Sequence, residues 1–107
     1  MVKKKLPVRW DIEAIEDLKA IYKYIKKKSP DNAEKVKKEL IKLAGTLTTF
    51  PDKYPKEPIL EHEDGDFRFI AKWSYKIIYE ITNKEVIIAL IFHTSQEPVK
   101  IKKNKPH

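Results

Sequence analysis

The sequence predicts an α+β fold: a helical hairpin packed on one face of a small antiparallel β-sheet, in the order β-α-α-β-β-β. Three observations carry this. Apolar residues recur at steps of three and four from Ile15 to Leu47, the spacing of one helix face. Past Gly65 the period drops to two, the spacing of a strand with one covered face. Only short polar breaks separate these segments, so successive elements must turn back on one another. At 107 residues the chain reads as a single domain, 1–107, able to bury about two thirds of its unfolded surface.

A short extended segment, Leu6-Pro7-Val8-Arg9-Trp10, opens the fold. It should return to the sheet as an edge strand, where a proline is tolerated. Asp11 suits an N-cap, and Ile15, Leu18, Tyr22 and Ile25 then form the apolar face of a helix ending near Lys27-Lys28, where cations favour the negative end of the helix dipole. Ser29-Pro30-Asp31-Asn32 is the break. Either Ser29 caps with Pro30 in the first helical position, or Asp31 caps with Glu34 completing a capping box. Ala33, Val36, Leu40, Leu43 and Leu47 make the second apolar face, with Gly45 weakening its last turn by about 1 kcal/mol, and Phe50-Pro51 ends it. Residues 51–65 form a proline-rich acidic loop. Strands are expected near 67–73, 75–82 and 85–93. In the first, Phe67, Phe69, Ala71 and Trp73 alternate with Arg68, Ile70 and Lys72; in the second, Tyr75, Ile77, Tyr79 and Ile81 alternate with Lys76, Ile78 and Glu80. Turns fall near Ser74 and at Thr82-Asn83-Lys84. The third strand, apolar from Val86 to Phe92, has the pattern of a central strand covered on both faces. A basic tail, 99–107, follows.

The chemistry open to this chain is narrow. It contains no cysteine, which excludes disulfides, thiolate metal sites and thiol catalysis. His62, His93 and His107 show no metal-ligand spacing, so no metal and no small-molecule cofactor are expected. The basic N-terminus lacks the apolar core of a signal peptide, and the longest apolar run, seven residues from Val86 to Phe92, is far short of a membrane span. A cytoplasmic location with no membrane partner is therefore expected. The net charge of +7, from 23 Lys+Arg against 16 Asp+Glu, favours polyanionic partners: nucleic acid, a ribosome or an acidic protein segment.

From about Val8 to Pro98 the residues resemble the RelE/ParE toxin superfamily of bacterial type II toxin–antitoxin systems. The landmarks are Trp10 before a helix holding Ala14, Asp17-Leu18 and Tyr24-Ile25; Ser29-Pro30 with Ala33; and Leu47 with Phe50-Pro51. The sharpest are Tyr75-Lys76-Ile77-Ile78-Tyr79-Glu80-Ile81, then Val86-Ile87-Ile88, then His93-Thr94-Ser95-Gln96-Glu97-Pro98. The resemblance implies a growth-inhibiting toxin neutralised by a cognate antitoxin. It implies one of two activities: ribosome-dependent cleavage of mRNA, or poisoning of DNA gyrase without cleavage. A non-toxic, antitoxin-binding protein is a third reading. The chain departs from the family's pattern in two places. Lys76 stands where an arginine is frequent, which keeps charge but loses bidentate phosphate geometry. Gln96 stands where a further arginine is expected.

Cleavage through a 2′-hydroxyl needs a proton acceptor, a proton donor and cations for the charge building on phosphorus. The catalytic candidates are Arg68, Lys76 and His93, with Lys72 and Gln96 as RNA-binding residues. Strand alternation is expected to turn Arg68 and Lys72 away from the helices, with Lys76 on the same kind of face one strand over. There Arg68 and Lys76 would hold the scissile phosphate, and His93, of a type that exchanges protons near neutral pH, would move the proton. Glu80 could instead pair with Lys76. Trp73, Tyr75 and Tyr79 could stack bases, but their periodicity places them in the core.

Overall fold

The structure, a computed structural model, describes residues 5–96. The tail 99–107 and the end of the last motif, Glu97-Pro98, lie outside the described residues. The elements are β1 (Val8–Trp10), α1 (Ile12–Lys26), α2 (Pro30–Gly45), β2 (Asp66–Lys72), β3 (Tyr75–Ile81) and β4 (Val86–His93). Short 3₁₀ turns cover Thr46–Thr48, Pro51–Lys53, Pro58–Leu60 and Thr94–Gln96. The expected α+β architecture and its β-α-α-β-β-β order are present. The sheet order is β1-β4-β3-β2, and here one correction enters. The meander β2-β3-β4 is antiparallel, but β1 pairs with β4 in parallel, so the sheet is mixed. The whole helical hairpin lies between β1 and the meander, and a crossover of that length permits a parallel pairing.

Local signals explain the helices. Asp11 Oδ1 accepts from the Ile12 amide at 3.1 Å, starting α1. Ser29 Oγ accepts from the Asn32 amide at 3.2 Å behind Pro30 in the first position of α2. That settles the Ser29 cap over the Asp31 alternative. The buried stripe of α1 runs through Ala14, Leu18, Ile21 and Ile25, rotated slightly from the expected Ile15–Tyr22 line. Tyr22 sits at its margin and donates its hydroxyl to Glu34 Oε2 at 2.7 Å, joining the two helices. On α2, Val36, Leu40 and Ala44 face the sheet, followed by Leu47. Full burial of a leucine such as Leu40 or Leu47 stabilises by about 1.5–3 kcal/mol.

Two cores result, one on each face of the sheet. The helix side packs Ile70, Ile77, Tyr79, Val86, Ile88 and Ile91 against the hairpin. The opposite side packs Phe67, Ile78, Leu90 and Phe92 under Leu60, with Phe69 and Ile59 at its margin. A register shift gives β4 its double role. Ile78 pairs with Leu90 while the next residue, Tyr79, pairs with Ile88, leaving Ala89 unopposed as a β-bulge. Ile88 and Ile91 therefore share the helix side, and Leu90 and Phe92 the other.

At the entry to β2, Gly65 has φ +108°, and a Cβ there would lie 2.7 Å from Glu80 Oε2 and 3.0 Å from the Phe67 ring. Only glycine is at ease in that conformation. Gly65→Ala should therefore destabilise the fold by about 1–3 kcal/mol, read as a lowered urea midpoint with an unchanged m-value. An unchanged midpoint would contradict this turn geometry.

Candidate functional site

The candidate residues do not share a face. Arg68 pairs across the strands with Tyr79, a residue of the helix-side core, so Arg68 lies on the helix side. Lys72 lies there too, and its Nζ is 3.2 Å from Glu39 Oε1 on α2. The expectation that Arg68 and Lys72 turn away from the helices is thus reversed. The reason is that both faces of β2 are covered. Ile70 is the residue of this strand that packs against the helices, while Phe67 and Phe69 pack beneath the Pro58–Leu60 turn. The apolar residues therefore gave the wrong side.

Arg68 is 16% exposed along its side chain and makes four hydrogen bonds. Its Nε and Nη2 donate to Asp66 Oδ1 and Oδ2 at 2.9 and 3.4 Å, and Nη1 donates to the carbonyls of Asp52 and Tyr54 at 2.8 and 2.7 Å. The Tyr79 hydroxyl donates to the Pro51 carbonyl at 2.6 Å, and burial keeps that phenol well above its ordinary pKa. Together they collect three carbonyls of the loop leaving α2, which would otherwise be costly orphans.

Lys76 lies on the opposite face, beneath the loop. Its Nζ is 2.6 Å from Glu57 Oε1, with side-chain exposures of 13% and 1%, and it sits over the Phe69 ring at 4.1 Å. Glu57 also accepts from the Ile59 amide through Oε2 at 3.1 Å. Lys76 thus pairs with Glu57 from the acidic loop.

His93 returns to the helix side, paired with Tyr75. Their rings meet edge to face at 5.5 Å. Its Nδ1 accepts the Ser95 amide at 3.2 Å, with Ser95 Oγ at 2.9 Å, so in the neutral ring the proton sits on Nε2. Tyr75, whose phenol burial holds above its ordinary pKa, is opposite His93, whereas Arg68 is opposite Tyr79. Four residues of strand, about 13 Å, separate those levels. Gln96 closes the last described turn.

What gathers around His93 is a cleft rather than a phosphate cradle. Beneath the closed end of the helical hairpin lies a cavity of about 440 Å³ bordered by Asp17, Tyr24, Tyr75, His93 and Ser95. Beside it is a second, of about 380 Å³, bordered by Asn32, Lys35, Trp73, Ser74 and the same Tyr75 and His93. Asp17 reaches across from α1, its Oδ2 accepting the Ile91 amide at 3.0 Å, where β4 has run past the end of β1.

Trp73 is a further correction. It is not a core strand residue but the first residue of the two-residue turn between Lys72 and Tyr75. Its φ is +55° and it is 53% exposed. Such a backbone suits glycine or asparagine and costs a bulky residue about 1–2 kcal/mol. Tyr24, on α1, is 67% exposed. Strand alternation hid Trp73; the signal that could have found it is that a two-residue hairpin turn must be cut from an otherwise unbroken run.

A profile described as ParE toxin of type II toxin-antitoxin system, parDE, matches residues 8–98. The chain belongs to the ParE toxin family. Among solved structures it is similar to a chain titled "Chromosomal ParDE TA system from P. aeruginosa", with a TM-score of 0.70 and 20% identity over 85% of this chain and 98% of that one. At that identity the likeness speaks for the fold. No curated protein matches the sequence. Family membership makes this ParE-type protein the toxin of a type II system and implies an antitoxin as its partner.

The Glu57–Lys76 pair yields a stability prediction. Lys76→Met would leave a carboxylate buried without its cation and should cost about 3–5 kcal/mol in urea unfolding. Adding Glu57→Leu should recover most of that loss, because an apolar replacement of both partners removes the orphan charge. Equal midpoints for wild type and Lys76→Met would show that the pair is not a structural one.

Proposed function

We propose that this ParE-type toxin arrests growth by inhibiting DNA gyrase, without cutting RNA, and that a cognate antitoxin neutralises it in the cytoplasm. The separation of Arg68, Lys76 and His93 carries the reading. Transition-state stabilisation requires groups within about 3 Å of one reacting phosphate. Here the sheet stands between Lys76 and the other two candidates. Arg68 has its donors committed to Asp66 and the loop carbonyls, and Lys76 is held by Glu57. The net charge of +7 would favour an acidic antitoxin through long-range attraction.

The test is induction of the toxin with and without its antitoxin, followed by mapping of mRNA 5′ ends and a supercoiling assay with purified gyrase. Arrest with intact mRNA, loss of gyrase supercoiling and rescue by the antitoxin are expected. Cuts within translated mRNA would overturn the reading and return the ribosome-dependent nuclease, with His93 its proton-transfer candidate. Normal growth on induction would leave a non-toxic, antitoxin-binding protein.

A further inference from the structure

The charges of this molecule are unevenly spread, although Glu34 and Glu39 of α2 reach the lysine-rich end through Tyr22 and Lys72. Residues 19–28, the second half of α1 and its exit, hold five lysines and no acid, whereas residues 57–66 hold five acids and no lysine or arginine. Strand register puts these at opposite ends. Asp66 pairs with Ile81, and Ile81 with Val86, at one end; Lys72 pairs with Tyr75, and Tyr75 with His93, at the other. The His93 end is where Ile25, Asn32 and Lys35 of the hairpin meet the Trp73-Ser74 turn. Lys23, Lys26, Lys28 and Lys35 are all exposed. The exposed aromatic rings Tyr24 and Trp73 border the two adjoining clefts there. Lys72 Nζ stands 5.1 Å from the Trp73 ring centre, while its other partner is Glu39.

We propose that this lysine-rich end binds a single-stranded stretch of nucleic acid, with bases stacking on Trp73 and Tyr24 and phosphates lying against Lys23, Lys26, Lys28 and Lys35. Three observations favour this occupant. Exposed flat rings beside a run of cations are what unpaired nucleotides use, because every base has a face to stack and every nucleotide a charge to neutralise. The cleft walls carry aromatic and polar groups, Tyr75, His93, Asn32 and Ser95, set among aliphatic ones such as Ile21 and Ile91, a lining on which bases can both stack and hydrogen-bond. Trp73 occupies a left-handed backbone position that local turn chemistry would give to glycine, and an exposed ring held there invites a functional account. Asp17, the carboxylate among the lining residues, is turned to the Ile91 amide. Binding of this kind is a property of the toxin alone and can be measured without gyrase or antitoxin.

The experiment is fluorescence anisotropy of a labelled 15-mer of deoxythymidine with the full chain, across a salt series. The expected result is binding that weakens with salt, at a log–log slope of about −0.7 per phosphate contacted. The matching duplex should bind several-fold more weakly at the same salt. Trp73→Gly is the deciding variant. It removes the ring while easing the backbone, so its melting temperature should equal or exceed that of wild type while affinity falls about tenfold. Tyr24→Ala, on an exposed helix position, should fall similarly with the fold intact. Affinity within twofold of wild type in both variants would overturn the proposal. So would equal binding of the duplex, or binding of a glutamate peptide of the same charge as tightly as the oligonucleotide, which would assign the surface to an acidic protein partner.

Discussion

Twenty residues, 46–65, lead from α2 to β2, and what the fold must do with them governs much of the structure. The connection cannot float free, because it lies against the edge and outer face of the sheet. Glu57 N bonds to Phe67 O, Phe69 N to Pro55 O, and Leu60 seals the second core. In lying there it turns backbone carbonyls and one carboxylate inward, and each needs a donor. Arg68 and Tyr79 supply donors on the helix side, and Lys76 supplies one beneath the loop. Pro51, Pro55 and Pro58 limit the conformations open to the connection. Two of them begin the short turns that position Asp52 and Glu57.

The strand cations thereby acquire a structural role that competes with a chemical one. A guanidinium with its donors bonded to Asp66 and two carbonyls could grip a phosphate only by releasing the loop, and an ammonium against a 1% exposed carboxylate could leave only by stranding that charge. Breaking such a buried pair costs several kcal/mol, a large fraction of the 5–15 kcal/mol that a domain has in all. The Ala89 bulge acts in the same direction. Without the extra residue, strict alternation would place His93 on the side of Lys76. With it, Ile91 and His93 turn toward the helices and Phe92 toward the loop.

These features also explain which parts were legible in the sequence. Helix starts were readable to within a residue or two because capping is local: Asp11, Ser29 and Pro30 each act on neighbours no more than three positions away. The end of α2 was not: the helix stops at Gly45 and passes into a 3₁₀ turn over Thr46–Thr48, short of the expected end at Phe50-Pro51. The hairpin turns were readable for the same reason as the helix starts, and Thr82 satisfies its own turn by accepting from the Lys84 and Glu85 amides. The side faced by each residue of β2 was not. Alternation assigns faces only when one face is wet, and β2 has Ile70 on one side and Phe67 and Phe69 on the other, all packed. A bulge leaves no mark in a run such as Ile87-Ile88-Ala89-Leu90-Ile91, where every residue is apolar. The candidate cations stand out in the sequence as charged residues within strands, but the loop partners that hold them, Asp52, Tyr54 and Glu57, lie far from them along the chain.

Family membership and the fate of the strand cations fit together once activity is located on surfaces rather than in a pocket. A protein that works by binding another macromolecule needs a rigid frame and exposed side chains, not a preorganised cluster around one reacting atom. The frame here is two-sided, with a helical hairpin over one face of the sheet and a pinned loop over the other. Its committed charges lie where the loop is tied down. The exposed aromatic residues and the lysine run lie at the other end, around Trp73, Tyr24 and residues 19–28, where Lys19 pairs with Glu16. That division also limits what can change without unfolding the protein. Substitutions at the His93 end alter groups that mostly face solvent, whereas any change at Arg68, Lys76 or Glu57 must first find another way to satisfy the loop. Substitution is therefore tolerated more readily at one end of the sheet and constrained at the other.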